Sequence, residues 1–276
     1  MPRKISFTGK DIVSVRDFSR NEIDYILKIS ETMEPVSKSG TNILNGKIMG
    51  TLFFEPSTRT KLSFETAMKR LGGDIIGFND RAMSSVDKGE TLIDTIRVVE
   101  NYVDIIVLRH PSEGSARLAA DYASIPVINA GSGSGEHPTQ AFLDLYTIHR
   151  EKGKIDGLNV GILGDLRYSR TVHSLAYAFS LYNLTLHLIS PETLRMRKEV
   201  LKTVKTRIKV KETNNIEDSL PNLDVLYVTR IQKERFPDPS EYEKVKGTYK
   251  VDTDILRAAK RDLIVMHPLP RTDEIT

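Results

Sequence analysis

Ile48-Met49-Gly50-Thr51-Leu52-Phe53-Phe54-Glu55-Pro56-Ser57-Thr58-Arg59-Thr60 changes character halfway along. The apolar run 48–54 is short and bounded by turn residues, so it reads as a strand buried on both faces, as in a parallel sheet. A helix should follow the polar turn, with Leu62, Ala67, Met68 and Leu71 inward and Gly72-Gly73 as its stop. The same alternation extends in both directions. Upstream, Ser19 and Glu22 have capping-box spacing, and Ile23, Ile26, Leu27 and Ile29 are expected on one face of the helix they open. Downstream come a strand at 75–78, an aperiodic polar loop at 79–89, a helix at 91–102, a strand at 105–108, a helix at 115–123 and a strand at 127–129. A flexible glycine-rich connector at 131–135 precedes Pro138, which is suited to start a helix that runs to 152. Beyond it the pattern repeats: strand 159–163, helix 172–181, strand 185–189, helix 193–204, then strands at 225–229 and 263–267. The pattern predicts an α/β fold of two domains, 1–148 and 149–276, each with a mostly parallel sheet flanked by helices.

Composition agrees. The 276 residues suffice for two domains of ordinary size, and 39% hydrophobic with 28% charged residues describes a chain that packs a core. No apolar stretch reaches the ~18 residues of a membrane span, and the N-terminus lacks the apolar region of a signal peptide. Cysteine is absent, which excludes disulfides and thiolate metal sites and fits a cytoplasmic enzyme. The net charge is +3, with basic residues scattered among acids, so nucleic acid has no clear footprint.

In open α/β sheets, ligands gather beyond the carboxyl ends of the strands. Ser57, Arg109, His137, Asp165, Arg230 and His267 all fall at such ends. Ser57-Thr58-Arg59-Thr60 brings hydroxyls, a guanidinium and free helix-start N–H groups to one point, which makes a phosphate site on physical grounds. The same four residues also make an ordinary cap with a surface Arg. Arg109 either adds a second charge to that anion or is a surface residue. His137 and Gln140 sit at a helix start, where a cap with a satisfied polar pair is the plainer alternative. Gly161-Ile162-Leu163-Gly164-Asp165 lacks the G-x-G-x-x-G spacing, so a dinucleotide is not expected. Arg170 opens the next helix. Arg230 and Gln232 point to one side if the chain stays extended, though a solvated loop fits them too. His267-Pro268-Leu269-Pro270 is a rigid turn whose prolines lack N–H groups and leave carbonyls as acceptors. Lys198, Lys202, Lys205, Arg207, Lys209 and Lys211 read as a solvated helix face and strand edge. His149, His173 and His187 receive no role.

The motifs also occur in a telling order. Phe53-Phe54-Glu55-Pro56-Ser57-Thr58-Arg59-Thr60-Lys61-Leu62-Ser63-Phe64-Glu65-Thr66 resembles the carbamoyl phosphate signature of the aspartate and ornithine carbamoyltransferase family. Lys88-Gly89-Glu90-Thr91, Leu108-Arg109-His110-Pro111, His137-Pro138-Thr139-Gln140 and Gly164-Asp165-Leu166 follow, then Arg170-Thr171-Val172-His173-Ser174, Thr229-Arg230-Ile231-Gln232-Lys233-Glu234-Arg235 and His267-Pro268-Leu269-Pro270-Arg271. The resemblance spans nearly the whole chain. Ornithine enzymes of the family typically carry His-Cys-Leu-Pro and a Ser-Met-Gly loop. Here Pro268 stands in place of that Cys, and Arg230-Ile231-Gln232 is the aspartate pattern. The chemistry agrees, because a dicarboxylate needs cationic forks, which Arg170 and Arg230 supply. The implied activity is transfer of the carbamoyl group of carbamoyl phosphate to L-aspartate, giving N-carbamoyl-L-aspartate and phosphate. This is an early step of pyrimidine biosynthesis and needs no metal or organic cofactor.

Carried over by motif, the resemblance implies that Ser57, Thr58, Arg59, Thr60 and Arg109 hold the phosphate, with Ser85. Thr60, Arg109 and His137 would polarise the carbamoyl oxygen. Gln140 and the carbonyls of Pro268 and Leu269 would receive the carbamoyl NH2. Arg170, Arg230 and Gln232 would grip aspartate, with Lys88 and Leu269. Arg59, Thr60, Lys88, Arg109 and His137 form the implied catalytic set, and Ser85 and Lys88 are expected from a neighbouring chain of a homotrimer with shared sites. The aspartate amine attacks the carbamoyl carbon, donors stabilise the oxyanion, domain closure aligns the reactants, and the departing phosphate takes the proton. Whether a regulatory chain binds stays open. The alternatives are a carbamoyltransferase for another amine and a non-catalytic phosphate-binding module. Family members usually continue past His-Pro-Leu-Pro with a helix that returns to the first domain, whereas this sequence stops at Thr276. Either the sequence ends short of that helix or the chain lacks it.

Overall fold

The computed structural model describes residues 5–78, 89–231, 236 and 238–276, so the expectations for Ser85, Lys88 and Gln232 lie outside the described residues. The chain divides into two compact units, Met1–Phe142 and Leu143–Thr276. The first holds α1 (Arg20–Ser39), β1 (Ile48–Phe53), α2 (Thr58–Arg70), β2 (Asp74–Phe78), α3 (Leu92–Val99), β3 (Ile105–His110), α4 (Ser115–Tyr122) and β4 (Val127–Ser132). Helix α5 (Pro138–Lys152) contains both this division and the expected boundary after residue 148. The second unit holds β5 (Asn159–Gly164), α6 (Arg170–Phe179), β6 (Thr185–Ile189), α7 (Lys198–Lys205), β7 (Lys209–Thr213), β8 (Val225–Thr229), α8 (Pro239–Val245), α9 (Thr253–Leu256) and β9 (Ile264–Met266).

Both sheets are parallel, in the orders β2-β1-β3-β4 and β7-β6-β5-β8-β9. These orders locate the crevices. From β1 the chain goes to β2 on one side and then crosses back to β3 on the other. From β5 it runs out through β6 and β7, then returns to β8. The carboxyl ends of β1 and β3, and of β5 and β8, are therefore the topological switch points.

Burial explains why the strands were legible. In the first sheet Leu52, Ile106, Leu108 and Val127 pack with Ile96, Ala116 and Ala119, while Met49, Phe53, Val107 and Ala130 pack with Met68. Alternate residues of each strand thus go to opposite faces that are both dry, which gives continuous apolar runs. Truncating one such side chain to Ala costs about 2–5 kcal/mol.

Four expectations fail for local reasons. Ile29 is 38% exposed, because six residues beyond Ile23 lies about 240° round the helix. Leu62 is 57% exposed and Ala67 is exposed too. The inward side of α2 runs instead through Lys61, Phe64, Glu65 and Met68, where Lys61 Nζ and Glu65 Oε1 pair at 2.5 Å and disguise the face as polar. The helix expected at 193–204 is interrupted between a 3-10 turn, Glu192–Leu194, and α7. Leu194 and Met196, two apart, are both buried, which requires extended backbone. The connector at 131–135 is a tight turn, with Gly133 N–H donating to His110 O at 2.9 Å and Ser132 N–H to Glu136 O at 3.2 Å. Helices α8 and α9 had a readable signal that the sequence reading did not use, since each follows a capping Asp, Asp238 and Asp252.

Candidate active site

At the first switch point, Phe53 is in register with Arg109, and Phe54 N–H donates to Arg109 O at 2.8 Å. Adjacent strands therefore release Glu55 and Arg109 side by side. Arg109 Nη2 lies 2.9 Å from Glu55 Oε1, and both side chains are largely buried. Arg109 Nη1 donates to Ala130 O at 3.1 Å and approaches Thr60 Oγ1 at 3.5 Å. One guanidinium is thus held by the β1 exit, the start of α2 and β4.

The start of α2 is unlike the starts of α1 and α3. Helix α1 has a complete capping box, with Glu22 accepting from Ser19 N–H at 2.8 Å, and Thr91 caps α3 by accepting from Asp94 N–H. In α2 the N-cap Ser57 makes no side-chain cap bond, the first turn has no acid, and Arg59 sits there exposed. A cation beside a helix's positive end is unfavourable by about 0.3–1 kcal/mol. An approaching anion turns that cost into attraction, with N–H groups, hydroxyls and guanidinium all donating.

The turn into α5 is fixed from afar. Asn129 Nδ2 donates to Val13 O at 2.9 Å and to Glu136 O at 3.3 Å, while its Oδ1 accepts from Gly131 N–H at 2.8 Å. The Glu136 carboxylate accepts from the Ser14 hydroxyl, Val15 N–H and Arg16 Nε. His137 follows, only 6% exposed, with Nδ1 3.3 Å from Thr139 Oγ1 and its carbonyl accepting from Gln140 N–H at 3.1 Å. Glu55, Asn129 and Glu136 were missed as supports. The partners of Asn129 and Glu136 on the N-terminal segment lie 116 to 122 residues away, so no local spacing betrays them.

At the second switch point Gly164 is in register with Thr229. Gly164 has φ +121, and a Cβ there would stand 2.0 Å from Thr229 O, so glycine lets the strand ends close up. Buried Asp165 accepts from Arg167 N–H at 3.0 Å and Tyr168 N–H at 2.9 Å through one oxygen. His173 Nε2 lies 3.0 Å from Leu166 O, a support that sequence reading left without a role. This folded loop delivers Arg170 to the start of α6, where it is 8% exposed. Arg230 directly follows β8 and is partly buried.

After β9, Leu269 N–H donates to His267 Nδ1 at 2.8 Å, with Leu269 at φ +59. A bulky residue in that region is strained, and the strain presents the backbone of Pro268 and Leu269 in a fixed way. Because Nδ1 accepts, the His267 proton belongs on Nε2, which lies 2.8 Å from Glu274 Oε1 without good N–H alignment. Burial lowers the His267 pKa and outweighs the opposite pull of Glu274. Burial raises that of Glu274, but the bonds from Thr272 outweigh it and the net shift is downward.

Ser57, Thr58, Arg59, Thr60 and Arg109 thus gather at one switch point, with His137 and Gln140 opening the helix after the neighbouring strand. Arg170 and Arg230 flank the other, and Pro268 and Leu269 follow β9. Comparison with known proteins gives the family. Residues 10–150 match the domain described as aspartate/ornithine carbamoyltransferase, carbamoyl-P binding, and residues 156–276 match the Asp/Orn binding domain. The aspartate carbamoyltransferase catalytic subunit of Thermococcus gammatolerans is 58% identical, covering 98% of this chain and 89% of the relative. The crystal structure of the M. jannaschii aspartate transcarbamoylase catalytic subunit aligns at TM-score 0.87 and 55% identity, over 97% of this chain and 88% of that one. The Trypanosoma cruzi aspartate transcarbamoylase, in complex with carbamoyl phosphate and aspartate, aligns at TM-score 0.93 and 39% identity, over 98% and 88%. With two matched domains in sequence and relatives covered almost end to end, the chain belongs to the aspartate/ornithine carbamoyltransferase family.

Proposed function

We propose that the two switch points divide one reaction, carbamoyl transfer from carbamoyl phosphate to L-aspartate, into donor and acceptor halves. The enzyme is an aspartate carbamoyltransferase in the chemistry it performs, and the observation that carries the division is the contrast between the two helix starts. The open start of α2, with Arg59 and Arg109, suits a phosphate, which accepts from many N–H and O–H donors at once. The buried fork of Arg170, with Arg230, suits a dicarboxylate. Thr60, Arg109 and His137 are donors for the carbamoyl oxygen as the aspartate amine attacks the carbamoyl carbon. Gln140 and the carbonyls of Pro268 and Leu269 accept from the carbamoyl NH2. The C–O bond to phosphate breaks, and the departing phosphate takes the amine proton. Stabilising the developing oxyanion with preset donors is the main catalytic device. The complex of the T. cruzi relative with carbamoyl phosphate and aspartate supports this reading.

The reading includes a cytoplasmic location and a cyclic trimer in which Ser85 and Lys88 complete a neighbour's site. Among the described residues no helix is long and apolar enough to cross a membrane. The naming of the relatives as catalytic subunits supports a regulatory chain as a further partner. The first test is phosphate release from carbamoyl phosphate with aspartate, with ornithine and with neither. Release dependent on aspartate alone is the expected result, and equal release with ornithine would overturn the substrate assignment. The trimer is tested by dissociating, mixing and reassembling Arg59→Ala and Lys88→Ala chains. Mixed trimers should be far more active than either parent, and parental background in verified mixed trimers would remove the shared site.

A further inference from the structure

The second unit contains a run of hydrogen-bonded side chains that none of these roles uses. Tyr227, fully buried in the middle of β8, donates its hydroxyl to Asp144 Oδ2 on α5 at 2.9 Å, and Asp144 is only 3% exposed. Thr171 on α6 donates to the Tyr227 oxygen. Thr171 Oγ1 stands 3.1 Å from Ser169 Oγ, which stands 3.3 Å from Thr229 Oγ1. Ser169 and Thr171 flank Arg170, and Thr229 precedes Arg230.

The direction of the run follows from proton counting. An ionised carboxylate only accepts, and each hydroxyl has one proton to give. Tyr227 gives its proton to Asp144, so Thr171 gives to Tyr227, Ser169 to Thr171 and Thr229 to Ser169. Burial, reinforced by the Asp144 charge, holds the phenol protonated far into alkali. One buried carboxylate thereby sets the orientation of four hydroxyls that end beside both arginines. The N-cap hydroxyl of α6 is consumed by this run and makes no cap bond to its own helix.

A buried carboxylate–phenol pair is a poor way to gain stability, because an apolar pair of similar volume generally does as well or better. We propose that the run from Asp144 to Thr229 sets the spacing of Arg170 and Arg230, which makes Asp144 and Tyr227 positioning residues for the dicarboxylate acceptor. The inference rests on the reading that these two arginines hold aspartate. A guanidinium fork discriminates only when its own backbone is held to within about 0.5 Å, and the run ties the starts of both arginine-bearing segments to one anchor.

The experiment is steady-state kinetics with the full chain, with carbamoyl phosphate binding measured by calorimetry. Tyr227→Phe keeps the ring and removes one oxygen; it should raise the aspartate KM about tenfold and leave carbamoyl phosphate affinity within about twofold. Thr171→Val breaks the run at a half-buried position and should raise the aspartate KM about fivefold, while Thr171→Ser, which keeps the hydroxyl, should restore it. The Thr171 pair decides the matter if Tyr227→Phe does not fold. An unchanged aspartate KM in folded Tyr227→Phe or Thr171→Val protein overturns the proposal, even if its melting temperature falls. Arg230→Lys separates the two levels of argument. If it also leaves the aspartate KM unchanged, the assignment of the arginines to aspartate has failed; if it raises KM while the Tyr227 and Thr171 variants do not, only the positioning inference has failed.

Discussion

At the carboxyl end of β1 the helix start carries an exposed arginine, whereas at that of β5 the equivalent helix start is buried, although neither N-cap serine makes a side-chain cap bond. Ser57 makes no cap bond and Arg59 is exposed in the first turn of α2. Ser169 spends its hydroxyl on Thr171 and Thr229, and Arg170 is buried in the first turn of α6. Both sheets are parallel and both helices follow a strand at a switch point, so on the proposed reading the difference lies in what each must hold. A phosphate offers several equivalent oxygens and can be met by main-chain N–H groups whose positions the helix already sets. A dicarboxylate is met by side-chain forks, which are flexible until something holds them. The second crevice accordingly invests buried polar groups, Asp165, His173, Asp144 and Tyr227, in orienting loops and arginines.

The comparison breaks most visibly at Arg59. On the proposed reading its guanidinium meets a charge that grows as phosphate departs. Arg59→Ala should lower turnover by about three orders of magnitude, because such charge-assisted contacts are strongest in the transition state. Near-normal turnover in a folded variant would reduce Arg59 to an ordinary surface arginine.

Arg230→Ala tests the other half. It should raise the aspartate KM about a hundredfold while carbamoyl phosphate affinity stays within about threefold. Collapse of carbamoyl phosphate binding would show that the two crevices do not divide the substrates. A smaller effect belongs to Glu55→Gln, which keeps the shape of the Arg109 partner and removes its charge. Turnover should fall about tenfold, because Arg109 still has Ala130 O and Thr60 Oγ1 to hold it. A drop as deep as that of Arg59→Ala would mean that Glu55 does more than hold an arginine.

The fold was legible where burial is two-sided and partners are local. Residues 48–53 and 159–164 read as strands because neither face meets water. The Ser19 box was legible because its two members are three residues apart. Helix α2 was misread on its inward face because Lys61 and Glu65 neutralise each other there, a pairing that hydrophobic periodicity does not register. The motif residues were legible through their joint order, since each alone allowed a plainer reading, but their supports were not. Asp144 and Tyr227 are 83 residues apart, and Asn129 meets Val13 across 116. Long-range polar pairs leave no spacing in a single sequence, and both units use them, Asn129 and Glu136 in the first and Asp144 and Tyr227 in the second.

The mildest test concerns acid. His187 on β6 is buried in the second unit, with Nδ1 2.9 Å from Ser219 Oγ. Burial, helped by the charges of Lys211 and Lys209 on neighbouring β7, lowers its pKa to about 4. The unfolded chain binds a proton there near the ordinary value of about 6.5. Between these two values the unfolded state holds a proton that the folded state refuses, so this residue's contribution to stability falls as pH drops and levels off below the folded value. The loss between neutral pH and pH 5.5 should be about 1.4 kcal/mol. His187→Gln removes the titration, and carboxylates such as Glu274 and Asp224 titrate alike in both proteins. Urea unfolding at about pH 7.5 and pH 5.5 should therefore show wild type losing more stability on acidification than the variant, by roughly that amount. Equal losses would mean that His187 is protonated within the fold, and that the second unit owes none of its acid sensitivity to the core of its sheet.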